Sequence, residues 1–382
     1  MKICIFTLPL HTNYGGIIQA TALKTYLESK GHEVWLLDRK KGNLNIISHI
    51  FFVIKKGVRR FVLREKNISF KKKTLSPEEV AINRNSQAFI DKYLNKKTEP
   101  FYSSHQLTTK FDSYNFDLCI VGSDQVWRPA YTPQITDYFG CFLKKNTKTR
   151  IISYAASFGT DKPELSKSRL NICKSGIQKF TAVSVRESSG VVFCKNELSV
   201  DATHVLDPTM LLNKSDYIKI IESSKVKKHS GQLMTYILDY SEEKKKVIDL
   251  LSDTLKYEVF STIPKYGDKH NIQPLDEDQF KLEFWLRGFY DASLTVTDSF
   301  HACVFSIIFN KPFIVYGNKQ RGVARFQSLL QMFNLEDQYI ESGNELINVD
   351  KFFTIDWVRV NNIWEEKKLL SEKFLHHQLK QL

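Results

Sequence analysis

Met1-Lys2-Ile3-Cys4-Ile5-Phe6, then His11-Thr12-Asn13-Tyr14-Gly15-Gly16, then Ile17-Ile18-Gln19-Ala20, and finally Val34-Trp35-Leu36-Leu37-Asp38 are the opening segments that decide the fold. Ile3 to Phe6 is a short, continuously apolar run of the kind buried in parallel sheets. A glycine-bearing turn follows, and Ile17, Ile18, Ala20, Leu23, Tyr26 and Leu27 then gather near one face of a helix. Gly31 tolerates the positive φ that ends a helix, and Val34 to Asp38 reads as the next strand. A strand, a helix and a second strand in this order form a βαβ unit.

The same rhythm continues through the chain. Strand-like runs recur at Leu118–Val121, Ile151–Ala155 and Ala182–Val185, and after Pro208 near Leu233–Leu238, Glu258–Thr262, Leu294–Thr297 and Phe313–Tyr316. Alternation of strand and helix predicts an α/β fold of open, mostly parallel sheets with helices on both faces. The expected division falls near Leu212 to Lys214, which gives two Rossmann-like domains, 1–212 and 213–382, facing across a cleft. From Ile355 onward the pattern is helical, with Trp357, Val358, Trp364, Leu369, Leu370 and Phe374. Such a fold binds ligands at the carboxyl ends of its strands, so chemistry is sought in the residues just after each one.

Composition narrows the function classes. The 382 residues suit two domains of ordinary size. No apolar run approaches the length of a membrane span, and the N-terminus reads as a first strand, not a signal peptide. The six cysteines are scattered without CxxC spacing, as expected of free thiols in a cytoplasmic protein. Neither a closely spaced Cys/His cluster nor HExxH is present, so no metal is expected. A net charge of +13 favours anionic partners; without a recognisable nucleic-acid module, nucleic acid is not expected among them.

Four segments after strands could carry chemistry. Asn13-Tyr14-Gly15-Gly16 opens a helix, where glycines let a ligand approach and free amides favour an anion; it could also be a plain tight turn. It matches neither GxGxxG nor GxxxxGKS/T. In Gly122-Ser123-Asp124-Gln125-Val126-Trp127, the carboxylate could orient a substrate hydroxyl or cap a following helix. Arg186, in Ser184-Val185-Arg186-Glu187-Ser188, offers a planar fork to carboxylate or phosphate, or else an internal ion pair. His301, in Thr297-Asp298-Ser299-Phe300-His301, stands at a strand end beside two small polar groups, where a histidine is either structural or functional.

These segments, with Ser153-Tyr154-Ala155-Ala156-Ser157-Phe158-Gly159, Asp207-Pro208-Thr209, Phe313-Ile314-Val315 and Arg325-Phe326, resemble the polysaccharide pyruvyl transferase family in order and spacing. The resemblance implies a GT-B-like fold and transfer of the enolpyruvyl group of phosphoenolpyruvate to a pair of sugar hydroxyls. The product would be a pyruvate ketal in capsular or exopolysaccharide biosynthesis, and phosphoenolpyruvate is a co-substrate, with no cofactor. It further implies that Arg186 and His301 meet the donor. Many members have Arg-Leu-His where this chain has Ser299-Phe300-His301, so one donor cation is missing; Arg321 and Arg325 are the candidates to replace it. Asn13, Gly15, Gly16 and Ser299 complete the expected donor side. Asp124, Gln125 and Trp127 make the expected acceptor side, with His301 and Asp124 catalytic.

Two other readings share the cleft: a glycosyltransferase that uses a nucleotide sugar, and a non-catalytic sugar- or anion-binding component. A last segment bears on location. From Ile47 to Arg64, Ile47, Ile50, Phe51, Ile54, Val58, Phe61 and Val62 make an apolar stripe opposed by Lys55, Lys56, Arg59, Arg60 and Arg64. That is the pattern of an interfacial helix on anionic lipid, which would bring the enzyme to a lipid-linked acceptor, or of a domain helix packed on its sheet.

Overall fold

The computed structural model describes residues 1–42, 75–160, 164–262, 277–317, 322–343 and 348–380. Ile47 to Arg64 and Arg321 lie outside them. The first half runs β1 (Lys2–Phe6), α1 (Tyr14–Ser29), β2 (Glu33–Leu36), α2 (Pro77–Tyr93), α3 (Ser104–Lys110), β3 (Leu118–Val121), β4 (Arg150–Ser153), α4 (Lys167–Ile177), β5 (Ser184–Val185), α5 (Ser188–Phe193) and β6 (Thr203–His204). The second runs α6 (Lys214–Ser224), β7 (Leu233–Tyr236), α7 (Glu242–Leu255), β8 (Val259–Ser261), α8 (Leu282–Asp291), β9 (Leu294–Thr297), α9 (Phe300–Ile308), β10 (Phe313–Tyr316), α10 (Ala324–Phe333), β11 (Tyr339–Ile340) and α11 (Trp357–Leu379).

Both sheets are parallel throughout, in the orders β2-β1-β3-β4 and β11-β10-β9-β7-β8. The short pair β5-β6 continues the first sheet past β4 through bridges from Ile152 to Ala182 and from Ala156 to Val185. Strand side chains alternate between two cores, as a period of two requires. Ile3, Ile5, Leu118 and Ile120 face one core of the first sheet, whereas Cys4, Phe6, Cys119 and Val121 face the other. The first of these cores is shared between halves: it continues through Met234, Tyr236, Phe313 and Val315 of the second sheet. Leu233, Ile314 and Tyr316 instead face a smaller core with Val247 and Leu251 of α7. No helix among the described residues is long and apolar enough to cross a membrane.

The halves meet through specific contacts. Tyr14 of α1 donates its hydroxyl to the Phe280 carbonyl at 2.8 Å and packs on Trp285 of α8, with ring centres 5.9 Å apart. The Ser188 amide donates to the Ser328 hydroxyl of α10 at 3.0 Å. The helical tail expected from Ile355 is one long helix, α11, and it crosses back onto the first half. Trp364 donates its indole N–H to the Met210 carbonyl at 2.9 Å, Ser371 accepts from the Leu206 amide, and Arg150 of β4 donates to the Gln378 carbonyl. Sequence position assigns α11 to the second half; its apolar and hydrogen-bonding faces hold it against the first.

This brace sets the first expected outcome. Trp364 is buried, so Trp364→Ala removes an indole and leaves the Met210 carbonyl without its donor. The loss should be about 3–5 kcal/mol in urea unfolding, whereas Val358→Ala on the open face of α11 should stay within about 0.5 kcal/mol. Equal stability of the two variants would show that α11 does not brace the first half.

Candidate active site

The site forms where β1, β3, β5, β6 and β9 end. At β1, Asn13 is the residue that opens α1, but its side chain makes no cap. Its amide nitrogen points instead toward Asp124 Oδ2 at 3.5 Å. The first amides of α1 therefore have no side-chain cap among the described residues, at the positive end of a buried helix. Gly15 is required by close approach: a Cβ there would lie 2.2 Å from Nδ1 of His301. At Gly16 a Cβ would meet the Asn13 side chain and Asp124 Oδ2.

After β3 the chain turns sharply. No helix starts within residues 122–134, and Asp124 forms an isolated parallel bridge with Ala156, so it caps no helix, contrary to the alternative reading of that segment. Asp124 sits in the left-handed region at φ 69° and is buried. Its loop is tied down by Gln19, which accepts from the Ser123 amide while donating to Thr7 Oγ1 and the Gly16 carbonyl. Gln125 accepts from Arg128 Nη1 at 3.2 Å and its side chain fills the space beside Gly159. Trp127 requires a correction. It has no exposed surface, donates its indole N–H to the Tyr138 carbonyl and stacks on Phe139, so it is a core residue and cannot touch an acceptor.

Arg186 follows β5 and is the centre of the cluster. Nη1 donates to Asp207 Oδ2 at 2.7 Å, and Nη2 lies 3.5 Å from Asp124 Oδ1. Nε and Nη2 find no hydrogen-bond acceptor among the described residues, although both are buried. The guanidinium lies over the Phe300 ring, with Cζ 4.2 Å from its centre. Arg325 of α10 approaches the same ring at 5.9 Å. The internal ion pair of Arg186 is present, with Asp207 and Asp124 in place of Glu187.

His301 stands in the first turn of α9, with Ser299 as the residue before the helix. Its Nε2 lies 3.7 Å from Asp207 Oδ2 and has no hydrogen-bond acceptor among the described residues. Asp298, its neighbour in sequence, turns away: its carboxylate takes Lys244 at 2.7 Å and the Leu238 and Asp239 amides, bracing the ends of β7 and β9.

Burial and charge pull against each other here. Burial opposes the charge of Arg186, but Asp207, Asp124 and Glu187 outweigh it and raise its pKa. Burial lowers Arg325 to about 10, and the like charge of Arg186 adds to that. Burial also lowers His301, with Arg186 and Arg325 adding to the shift while Asp207 and Asp124 oppose it. For Asp207, burial is outweighed by Arg186 and His301, and its pKa falls. Glu187 is pushed up by burial despite Arg186. Two buried guanidinia on one ring, an imidazole whose pKa burial lowers and two helix starts without a side-chain cap thus lie together, an arrangement with the donors that anions favour.

The structure brings together Asn13, Gly15, Gly16, Asp124, Arg186, Ser299, His301 and Arg325, which sequence reading singled out. It adds two residues that received no role there. Asp207 is quoted in Asp207-Pro208-Thr209 and follows β6, which was its available signal. Phe300 offers a face to two arginines, and its sequence carries no sign of that.

Two parallel α/β halves with buried charges where they meet make a GT-B-like fold. The fold is similar to UDP-GlcNAc 2-epimerase from Neisseria meningitidis bound to UDP-GlcNAc, with a TM-score of 0.51 at 11% identity over 100% of both chains. Lower likenesses include UDP-GlcNAc 2-epimerase from Methanocaldococcus jannaschii (TM-score 0.47, 13% identity, 93% of this chain and 92% of that one). A Streptomyces sp. SF2575 glycosyltransferase aligns at TM-score 0.44 and 10% identity over 96% and 95% of the two chains. No curated protein matches the sequence significantly. The polysaccharide pyruvyl transferase model matches residues 13–320, and the chain belongs to that family.

Removal of Arg186 tests the electrostatics directly. Arg186→Ala leaves Asp207 and Asp124 buried without their cation, and should lower stability by about 3–5 kcal/mol at neutral pH. Asp207 has a folded pKa below its unfolded one, so its stabilisation is complete above the unfolded value of about 3.9 and is lost as pH falls through the folded value. The gap between wild type and variant should therefore narrow below about pH 4. A constant gap from neutral to acid pH would separate the effect from Asp207.

Proposed function

We propose that the enzyme transfers the enolpyruvyl group of phosphoenolpyruvate to two hydroxyls of a sugar, forming a cyclic pyruvate ketal and releasing phosphate. The observation that carries this reading is Arg186, whose unused N–H groups lie between two buried helix starts and beside His301. Phosphoenolpyruvate has two anionic groups close together, and this site has cations and amides from both halves. Arg186 would hold one group with Arg325 and Ser299 beside it, and the α1 amides at Gly15 and Gly16 would hold the other. Arg321 keeps its place as a further donor cation on sequence grounds alone.

The reaction needs an acid and a base. His301 as imidazolium protonates the methylene carbon, and positive charge develops at the future ketal carbon. An acceptor hydroxyl attacks there while Asp124 takes its proton; a second hydroxyl displaces phosphate and its proton leaves with that group. Asp124 suits this role because its carboxylate sits at a strand end beside Arg186. Gln125 and the partly exposed Tyr131, which stacks on Arg128, line the acceptor wall. The acceptor is a glycan, lipid-linked if the Ile47 to Arg64 stripe engages anionic lipid.

Incubation with phosphoenolpyruvate and a panel of nucleotide sugars, each with lipid-linked glycans, decides the donor by product mass. A glycosyl product in place of a ketal would assign the nucleotide-sugar reading, and ligand binding without any product would assign the non-catalytic one. The pH profile is a sharper check. His301 has a pKa below its ordinary 6.5 in the free protein. If its imidazolium is the acid, kcat/KM falls as pH rises, with its limb below that value. Bound donor adds negative charge, so the limb of kcat should lie at higher pH than that of kcat/KM. A kcat/KM that climbs with pH between 6 and 8 would remove His301 as the acid.

A further inference from the structure

We infer that Asp207 and His301 form an orienting pair in which His301 turns its Nε2–H to Asp207 and works on the donor through Nδ1. The inference extends the proposed reaction and rests on it for the donor and the turnover tests; the tautomer rests on the geometry of the pair alone.

Asp207 is held as firmly as a side chain can be. Oδ1 accepts from the Thr209 amide at 3.1 Å and the Thr209 hydroxyl at 2.8 Å. Oδ2 accepts from Arg186 Nη1 at 2.7 Å and Ser123 Oγ at 3.2 Å. The side chain is 1% exposed, and Pro208 fixes the backbone that follows. The carboxylate is thus a fixed negative charge 3.7 Å from His301 Nε2.

That distance selects the tautomer. A lone pair on Nε2 would face a carboxylate and be repelled, whereas an N–H there is attracted. Nε2 has no hydrogen-bond acceptor among the described residues, so Asp207 is the group that its proton can address. The neutral imidazole accordingly carries its hydrogen on Nε2 and a lone pair on Nδ1. The Nδ1 edge faces Gly15, at the start of α1, where a bound anion is expected.

The pair also joins the halves. Asp207 follows β6 of the first, and His301 opens α9 of the second. A separation of 3.7 Å exceeds a hydrogen bond by about 0.5–1 Å. A small closure on the donor would complete the bond and favour the imidazolium when its proton is needed. The charged groups that face His301 are Asp207 and Asp124, which favour its protonation, and Arg186 and Arg325, which oppose it. Asp207 acts as a positioning residue. In the step itself, the N–H bond at Nδ1 breaks and a C–H bond forms at the donor methylene with the electron pair of its C=C bond. Neutral His301 remains, with hydrogen on Nε2 facing Asp207.

The tautomer is read in wild-type protein by long-range 1H–15N spectra of 15N-histidine-labelled enzyme, with the His301→Gln spectrum assigning the signals. The expected result is hydrogen on Nε2 in the neutral form; hydrogen on Nδ1 overturns the inference. This arm needs neither substrate nor a change at Asp207. The second arm compares Asp207→Asn and Asp207→Glu with wild type in turnover of phosphoenolpyruvate. For Asp207→Asn, kcat should fall about 10²–10⁴-fold and the alkaline limb of kcat should move to lower pH, a shift that a loosened Arg186, which acts on KM, does not produce. Asp207→Glu should recover part of the rate. A folded Asp207→Asn enzyme with unchanged kcat and pH limb also overturns the inference; if that variant does not fold, the tautomer decides. Failure of phosphoenolpyruvate to turn over in wild type would instead refute the proposed reaction and leave the tautomer result standing.

Discussion

The ion pair between Arg186 and Asp207 is the interaction on which the site depends. Both side chains are only 1% exposed, and their contact is 2.7 Å long. A pair so deeply buried is a poor source of stability, because desolvation offsets most of the attraction. Its consequence is positional. With one edge of the guanidinium fixed by Asp207 and its face on Phe300, the remaining N–H groups have a single orientation. Asp124, the Ser123 loop and His301 are all placed relative to that pair.

Bringing two halves this close requires positions without side chains. Gly15 receives the His301 ring, and a Cβ on Gly322 would lie 2.2 Å from the Gly159 carbonyl. Gly159 and Gly322 both have positive φ and therefore meet as bare backbone. Around these contacts the shared apolar core, the Tyr14–Phe280 hydrogen bond and the return of α11 hold the halves in register. The buried charges of Arg186, Asp207 and His301 consequently lie where both halves meet.

Much of the fold was legible because buried parallel strands are short apolar runs, and helix ends carry their own signals. Leu118–Val121, Leu294–Thr297 and Phe313–Tyr316 are strands as read, and Gly31 ends α1 with φ 84°. The strand-end rule also led to residues that the structure brings together, although it says nothing of which way a side chain turns. Trp127 shows the limit: an aromatic beside a strand-end carboxylate looks like a sugar platform, but the turn at Asp124 sends its indole inward. Asp207 was hidden for a different reason. Its partners are 21 and 94 residues away along the chain, which no local pattern encodes. The return of α11 onto β4 was hidden likewise, since its contacts span up to 228 residues.

The Ser299-Phe300-His301 segment lies beside two arginines in the structure. Arg325 of α10 and Arg186 both approach the Phe300 ring, at 5.9 and 4.2 Å from its centre. The π face of Phe300 attracts both guanidinia. Burial lowers the pKa of Arg325, and the like charge of Arg186 adds to that, so the two guanidinia repel each other across a short, buried distance.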